Sequence, residues 1–315
     1  MSTAFTDDQL RLAARLYYLD GLGQAEVARF VKVSQAKVSR LLTAARERGI
    51  VKISVAEYEP RDAALEKKLR KSFRLDSVAV MKTVPGVTSA DVRRATGHFG
   101  AAFVQSLIPA GSTVAIAGGR TMRELVAMLP EAPVNDLTVI QAMGSIDATI
   151  TAVDALELGR AMAQRWAGRF ITLNTPAFVP DRRTRDAFLA LDQLRAVWQR
   201  FRTVDVALIG VGTLDNSVFV ERGVLAESDI AALKKSGAIG EIFGRFFDAR
   251  GRECATPWSE RVISMSLDQL KKVPQVIGVV SGADRSTALA AAIRGGLLKS
   301  LVIDDIGARA LLSLP

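Results

Sequence analysis

The sequence predicts two domains: a small N-terminal helical unit of the winged helix-turn-helix type, and a larger α/β unit built on a mainly parallel sheet. Three observations carry this. At 315 residues the chain is long for a single domain. Its first 55 residues show helical apolar spacing and only one short alternating run. From Asp76 onward, short apolar runs alternate with amphipathic helices, the rhythm of a parallel sheet covered on both faces.

Composition narrows the function classes. Apolar residues make up 49% and mean hydropathy is +0.19, enough for a sizeable core. The formal charge of +9 and pI near 9.9 favour an anionic partner, although charge alone is weak evidence. Cys254 is the only cysteine, so no intrachain disulfide can form, which fits a reducing compartment. His98 is the only histidine, which excludes zinc sites built from Cys and His. It reads as a polar residue on a helix rather than a catalytic base. Met1–Leu10 has no basic start followed by an apolar run, and no stretch of about 18 apolar residues occurs. A soluble cytoplasmic protein without a cofactor or metal is expected.

The elements follow in order. Thr6-Asp7-Asp8-Gln9 is a capping box, and the helix it opens carries Leu10, Ala13, Ala14, Leu16 and Tyr17 before Gly21 and Gly23 end it. A short helix runs from Gln24 to about Val31. Ser34 caps a third helix with Val38, Leu41, Leu42 and Ala45 on one face, and Gly49 stops it. Ile50–Val55 alternates like a strand, the expected wing. The charged stretch to Arg74 reads as a linker plus an amphipathic helix with Leu65 and Leu69 as its apolar contacts. The expected domains are therefore 1–56, a linker and helix over 57–75, and 76–315. Within the last, strands are expected at Ser77–Met81, Thr113–Ala117, Leu137–Ala142, Val204–Ile209, Val262–Ser264, Val276–Val280 and Ser300–Ile303. Helices are expected at Ser89–Leu107, Thr121–Leu129, Ala155–Trp166, Thr184–Arg202, Glu227–Ser236 and Ser286–Gly295.

Gln24 to Leu42 is the most specific local signal. A helix-turn-helix needs a small residue where its helices touch, and Ala28 stands there. Val38 and Leu41 lock the second helix down, leaving Gln35, Ser39 and Arg40 outward with Lys37 beside them. Gln pairs with adenine and Arg with guanine in the major groove. Ser34 and the helix N-terminus suit a phosphate oxygen. Lys32, Lys37, Arg40, Arg46, Arg48 and Lys52 stand against one acid, Glu47, and Lys52 on the expected wing lies near the backbone. The turn often has glycine where this chain has Lys32, so a lysine at positive φ or another turn geometry is expected.

In the larger unit, Val114–Ala117 runs through Gly118-Gly119-Arg120-Thr121 into a helix. Glycines let a ligand approach the backbone, and the helix N-terminus and Arg120 suit a phosphate or carboxylate. A plain tight turn would also need the glycines, though not the arginine and threonine. Gly210-Val211-Gly212-Thr213 repeats the pattern, but Asp215 stands where a dinucleotide fingerprint needs glycine. Glu241 can accept from sugar hydroxyls, with Asp248 following Phe246-Phe247. Gly282 to Arg285 opens a further helix and offers a second anion contact. Each of these segments also reads as capping and loop chemistry. The arginine-rich stretch from Arg182 to Arg202 interleaves with Asp181, Asp186 and Asp192 and reads as a solvated helix face.

Taken together the chain resembles the SorC/DeoR-type sugar-binding regulators. The residues that carry this are Gln24–Ala28, Ser34 to Leu42, Ala45–Val51, Gly119-Arg120-Thr121, Gly210–Thr213, Gly240-Glu241-Ile242 before Phe247-Asp248, and Gly295-Gly296 through Asp304. The resemblance spans nearly the full length. It implies a winged helix-turn-helix followed by a Rossmann-like domain related to sugar-phosphate isomerases. It also implies a sugar, polyol or sugar-phosphate effector, and homodimers or homotetramers on double-stranded operator DNA. The DNA contacts expected from the motif itself are Gln24, Ser34, Gln35, Lys37, Ser39, Arg40, Arg46 and Lys52. The effector would lie against Gly118 to Thr121, Ser145, Gly210, Gly212, Thr213, Glu241, Asp248, Gly282 and Arg285. The family often has lysine at Arg285; arginine keeps the charge and excludes a Schiff base there. The alternative is a sugar-phosphate isomerase with an accessory helical domain, using Glu241 and Asp248 as base and acid. That reading leaves the DNA-reading motif without a use.

Overall fold

A computed structural model describes residues 5–56, 58–131 and 136–314. The chain divides into two compact units, Met1–Glu59 and Pro60–Pro315. Glu57, the first residue of the expected linker, lies outside the described residues.

In the first unit α1 spans Asp7–Ala14, and both halves of its capping box form: the Gln9 N–H donates to Thr6 Oγ1 at 3.3 Å and the Thr6 N–H to Gln9 Oε1 at 3.1 Å. The helix continues as a π-helical turn over Arg15–Leu19. Next come α2 (Gln24–Phe30) and α3 (Gln35–Glu47), the latter capped by Ser34, whose Oγ accepts from the Lys37 N–H at 3.2 Å. Lys32 sits between them at φ 54°, so the turn keeps the left-handed geometry that glycine would adopt without strain. Leu10, Ala13, Val27, Val38, Leu41, Leu42 and Ala45 form the core of this unit. The expected wing strand does not form. Alternation makes a strand only where a neighbour completes the ladder. Among the described residues Ile50–Val55 has none, and Ile53 and Val55 are 60% and 83% exposed. Only Ile50 and Val51 pack on the helical core.

The second unit runs α4 (Ala63–Phe73), β1 (Ser77–Met81), α5 (Ser89–Ser106), β2 (Thr113–Ile116), α6 (Arg120–Ala127), β3 (Thr138–Gln141), α7 (Ala155–Arg165) and β4 (Arg169–Ile171). It continues with α8 (Arg182–Ala190), α9 (Asp192–Arg200), β5 (Val206–Ile209), α10 (Val218–Glu221), α11 (Glu227–Lys235), β6 (Gly240–Ile242) and β7 (Arg245–Phe247). It closes with α12 (Leu267–Lys272), β8 (Gln275–Val279), α13 (Ser286–Arg294), β9 (Ser300–Asp304) and α14 (Asp305–Leu312). Seven strands form one parallel sheet in the order β1-β9-β8-β5-β2-β3-β4, while β6 and β7 pair as a separate antiparallel hairpin.

Alternate side chains of each strand serve opposite faces. On β2, Val114 and Ile116 join the core made with Val104, Met122, Leu125, Met162 and Trp166 of α5, α6, α7 and the residue after α7. Ala115 joins the other core, with Leu65 and Leu69 of α4 and Leu289 of α13. The amphipathic helix expected in the linker is thus part of this unit.

Two expectations change in this unit, and one hairpin was not anticipated. Val262–Ser264 is buried but makes only isolated bridges, to Phe178 and Met143, because it meets two different segments at single positions. The helix expected over Thr184–Arg202 breaks at Leu191 (φ −65°, ψ 135°), which ends α8 and starts α9. The β6–β7 hairpin turns at Phe243 and Gly244 (φ 57° and 75°), two successive positive φ values. A phenylalanine where such turns usually carry Asn or Gly hid it in the sequence.

Candidate functional site

After β2 the chain proceeds outward to β3 and β4, then returns to place β5 on the other side of β2. The β2/β5 boundary is therefore a topological switch point, where diverging connections leave a crevice at the carboxyl ends of the strands. A cavity of about 240 Å³ opens there. It is lined by the turns after β2, β5 and β8 and by residues of α5, α10 and the β6–β7 hairpin.

The turn after β2 is built for close approach. Gly119 has φ 133° and ψ 156°, a conformation open to glycine, and its N–H donates to Val153 O at 2.8 Å. A Cβ on Gly118 would stand 2.7 Å from that same carbonyl. Helix α6 starts directly after, and the N–H groups of Arg120, Thr121 and Met122, all cavity residues, have no intrahelical acceptor. Thr121 Oγ1 lies 3.1 Å from Ser281 Oγ, tying the β2 turn to the β8 turn.

Three guanidiniums converge on the cavity: Arg93 from α5, Arg120 from α6 and Arg285 from the turn after β8. Arg120 pairs with Glu221 at 3.1 Å and Arg285 with Asp284 at 2.9 Å. Arg93 makes no ion pair among the described residues. Burial lowers its pKa from the ordinary arginine value, and the like charges of Arg120 and Arg285 lower it further. Crowded like charges beside free N–H groups form an anion site.

Glu241 supplies the opposite character. Its backbone bridges Gly212 in both directions, at 2.9 and 3.0 Å. A Cβ on Gly212 would come 2.9 Å from Glu241 Oε2, so glycine there makes room for the carboxylate. The carboxylate accepts from the Gly244 N–H and has no ion pair among the described residues. It lines the cavity as a half-buried group, and burial among the surrounding atoms raises its pKa to about 7.

Of the residues singled out by sequence, Gly118, Gly119, Arg120, Thr121, Gly210, Gly212, Glu241 and Arg285 line this one cavity. Four do not. Ser145 is engaged through its backbone, donating to Thr175 O and accepting from Ala177 N–H. Thr213 Oγ1 accepts from the Asn216 N–H at 3.2 Å and shapes the loop. Asp248 caps the turn after β7, accepting from the backbone of Arg250 and Arg252 and the side chain of Arg252. Gly282, at φ 87°, donates to the buried Asp304 at 2.6 Å and so positions the turn that carries Arg285. Sequence reasoning missed Arg93, Asn216 and Arg222. Arg93 sits beside Arg94 in a helix whose sequence gives no hint of which arginine turns inward. Arg222 holds Asp147 at 2.9 Å and Asp154 at 3.0 Å, a lattice of charges assembled only by the fold.

In the first unit, Gln35, Ser39 and Arg40 are exposed and Lys37 half-exposed on the face of α3 opposite the buried Val38, Leu41 and Leu42. Arg46 and Lys52 are exposed, and Gln24 is half-buried at the start of α2. Arg48 is held by Asp7 at 3.1 Å and serves the fold.

Residues 60–313 match the family model described as "Putative sugar-binding domain". The chain is 29% identical over 323 aligned positions to the transcriptional regulator YjhU of Escherichia coli K12, covering 99% of this chain and 96% of that protein. It is 26% identical to the erythritol catabolism regulatory protein EryD of Brucella abortus, covering 99% of both. The crystal structure of the full-length sorbitol operon regulator SorC of Klebsiella pneumoniae superposes with TM-score 0.78 at 25% identity, covering 98% of this chain and 100% of that one.

Proposed function

The chain belongs to this sugar-binding domain family, and we propose that it is a DNA-binding transcriptional regulator of carbohydrate metabolism whose operator affinity is set by a small phosphorylated sugar or polyol. It is a regulator and not an enzyme: its relatives over the full length are named as regulators, two of them of sorbitol and erythritol metabolism.

The observation that carries the effector assignment is the convergence of Arg93, Arg120 and Arg285 on the open N-terminus of α6. Three guanidiniums and a row of free N–H groups are more than a neutral sugar needs, and they match a phosphate. Glu241 marks the other character of the cavity. It makes no ion pair with any guanidinium among the described residues and accepts only from the Gly244 N–H. The effector thus carries one phosphate toward the arginines and hydroxyls toward Glu241. A second anionic group would meet an unpaired carboxylate.

In the first unit, α2, the turn at Lys32 and α3 are the helix-turn-helix, with Gln35, Ser39 and Arg40 as base readers and Ser34, Lys37 and Arg46 as backbone contacts. Dimers or tetramers place two copies of α3 in successive major grooves about 34–36 Å apart. The protein acts in the cytoplasm. No helix among the described residues is long and apolar enough to cross a membrane.

Operator binding, read by fluorescence anisotropy on the chain's own upstream DNA, tests this. Arg40→Ala is expected to weaken operator DNA by about 1–3 kcal/mol more than unrelated DNA. Equal weakening on both would make Arg40 a phosphate contact only. Addition of the effector is expected to change operator affinity in the wild type and leave it unchanged in Arg120→Ala.

A further inference from the structure

Helix α4 presents exposed charge of one sign. Its buried side holds Leu65, Glu66 and Leu69. Glu66 is the only acid within the helix and is 9% exposed. Its carboxylate is taken up by Arg61, at 2.7 and 2.8 Å, and by the Val80 N–H at 3.0 Å. On the outer side Lys67, Arg70 and Lys71 recur at i, i+3 and i+4, forming one stripe, with Lys68 beside it and Arg74 following at the left-handed C-cap. All five are exposed, and none makes an ion pair or side-chain hydrogen bond among the described residues. Elsewhere some exposed arginines are paired, Arg182 with Asp186, Arg195 with Asp192 and Arg160 with Glu157, while others such as Arg183, Arg200 and Arg202 make no ion pair among the described residues. The Arg182–Arg202 stretch interleaves with acids, and the outer side of α4 does not. A groove of about 510 Å³ runs alongside it, lined by Lys67, Arg70 and Lys71 together with Ser77 and Phe103.

The stripe has the wrong form for a small anion. It has no converging N–H groups and no buried polar side chain aimed at a centre. Along the helix it is a line of charges about 6 Å long at 1.5 Å per residue, extended by Arg74 at the cap. A nucleic-acid strand offers a matching line, with a charge every 3.4 Å or so along the axis.

We infer that α4 is a second, sequence-blind DNA contact, in which Lys67, Arg70, Lys71 and Arg74 neutralise backbone phosphates. This rests on the regulator reading above. It assigns part of the chain's DNA affinity, and of its salt dependence, to the sugar-binding unit.

The test measures binding of the full chain to a mixed-sequence DNA duplex over a series of salt concentrations, for the wild type, a K67Q/R70Q/K71Q variant, and R70Q and K71Q singly. Glutamine preserves helix propensity. The plot of log affinity against log salt is expected to become shallower by about 0.9 for each single variant and by about 2.7 for the triple variant. Melting temperature and effector-induced stabilisation are to stay as in the wild type. Slopes equal to that of the wild type in folded variants overturn the inference and leave the regulator reading standing. Unchanged slopes with a lost oligomer overturn it too, assigning the stripe to contact between copies. A wild type that fails to bind any duplex overturns the regulator reading itself.

Discussion

Gly119 and Glu241 set opposite limits on the cavity. Gly119 holds a φ of 133° directly before α6. Gly119→Ala is expected to cost about 1–3 kcal/mol of stability in urea unfolding and to abolish effector-induced stabilisation. An unchanged midpoint would show that the turn tolerates a side chain. Burial raises the Glu241 carboxyl from its ordinary 4.5 to about 7, so the folded chain holds this proton more tightly than the unfolded chain. Between those values stability falls as pH rises, and above about 7 the loss levels off. Because Glu241 is only half-buried, solvent screening tempers the effect to roughly 1–3 kcal/mol. Glu241→Gln removes that slope, and the difference between the two stability–pH curves measures it. Parallel curves would mean the carboxylate is solvated in the folded state. Gly119 was legible because a glycine pair between a strand and a helix has few uses. Arg93 was not, because helix phase alone cannot show which of two adjacent arginines faces a cavity formed by strands far along the chain.

At the scale of elements, the caps and periodic helices were readable and the short pairings were not. Thr6, Ser34 and Gly49 announce their helix ends through local hydrogen bonds, and these ends stand where the sequence puts them. The wing at Ile50–Val55 and the strand at Val262–Ser264 show alternation or apolar runs, but strand identity depends on a partner that local pattern does not supply. The β4 edge strand, at three residues, is too short to carry a period. Within the first unit two substitutions act in opposite directions. Ser34→Ala removes the α3 cap and is expected to cost about 1 kcal/mol. Lys32→Gly relieves the left-handed turn and is expected to stabilise this unit by up to about 1 kcal/mol. Hydrogen exchange of the α2 and α3 amides in the full chain reads both. Equal protection in Lys32→Gly and wild type would show that the turn stores no strain.

At the scale of the molecule, the parallel sheet places the glycine turns of β2 and β5 side by side across its switch point, and this is why motifs about 90 residues apart share one cavity. The order of strands, with β9 and β8 between β1 and β5, was not in the sequence pattern, since every strand there is an apolar run that fits any interior position. Control of DNA then requires that the effector bind one arrangement of the oligomer better than another. It shifts operator affinity only by that difference. That the cavity receives a phosphorylated ligand is tested by thermal melting of the full chain against paired free and phosphorylated sugars and polyols. A ligand present at 100 times its Kd adds about 2.7 kcal/mol of stability. A shift is expected with a phosphorylated compound, none with its unphosphorylated partner, and loss of the shift in Arg120→Ala and Arg285→Ala. A shift with the unphosphorylated partner alone, kept in both variants, would contradict it.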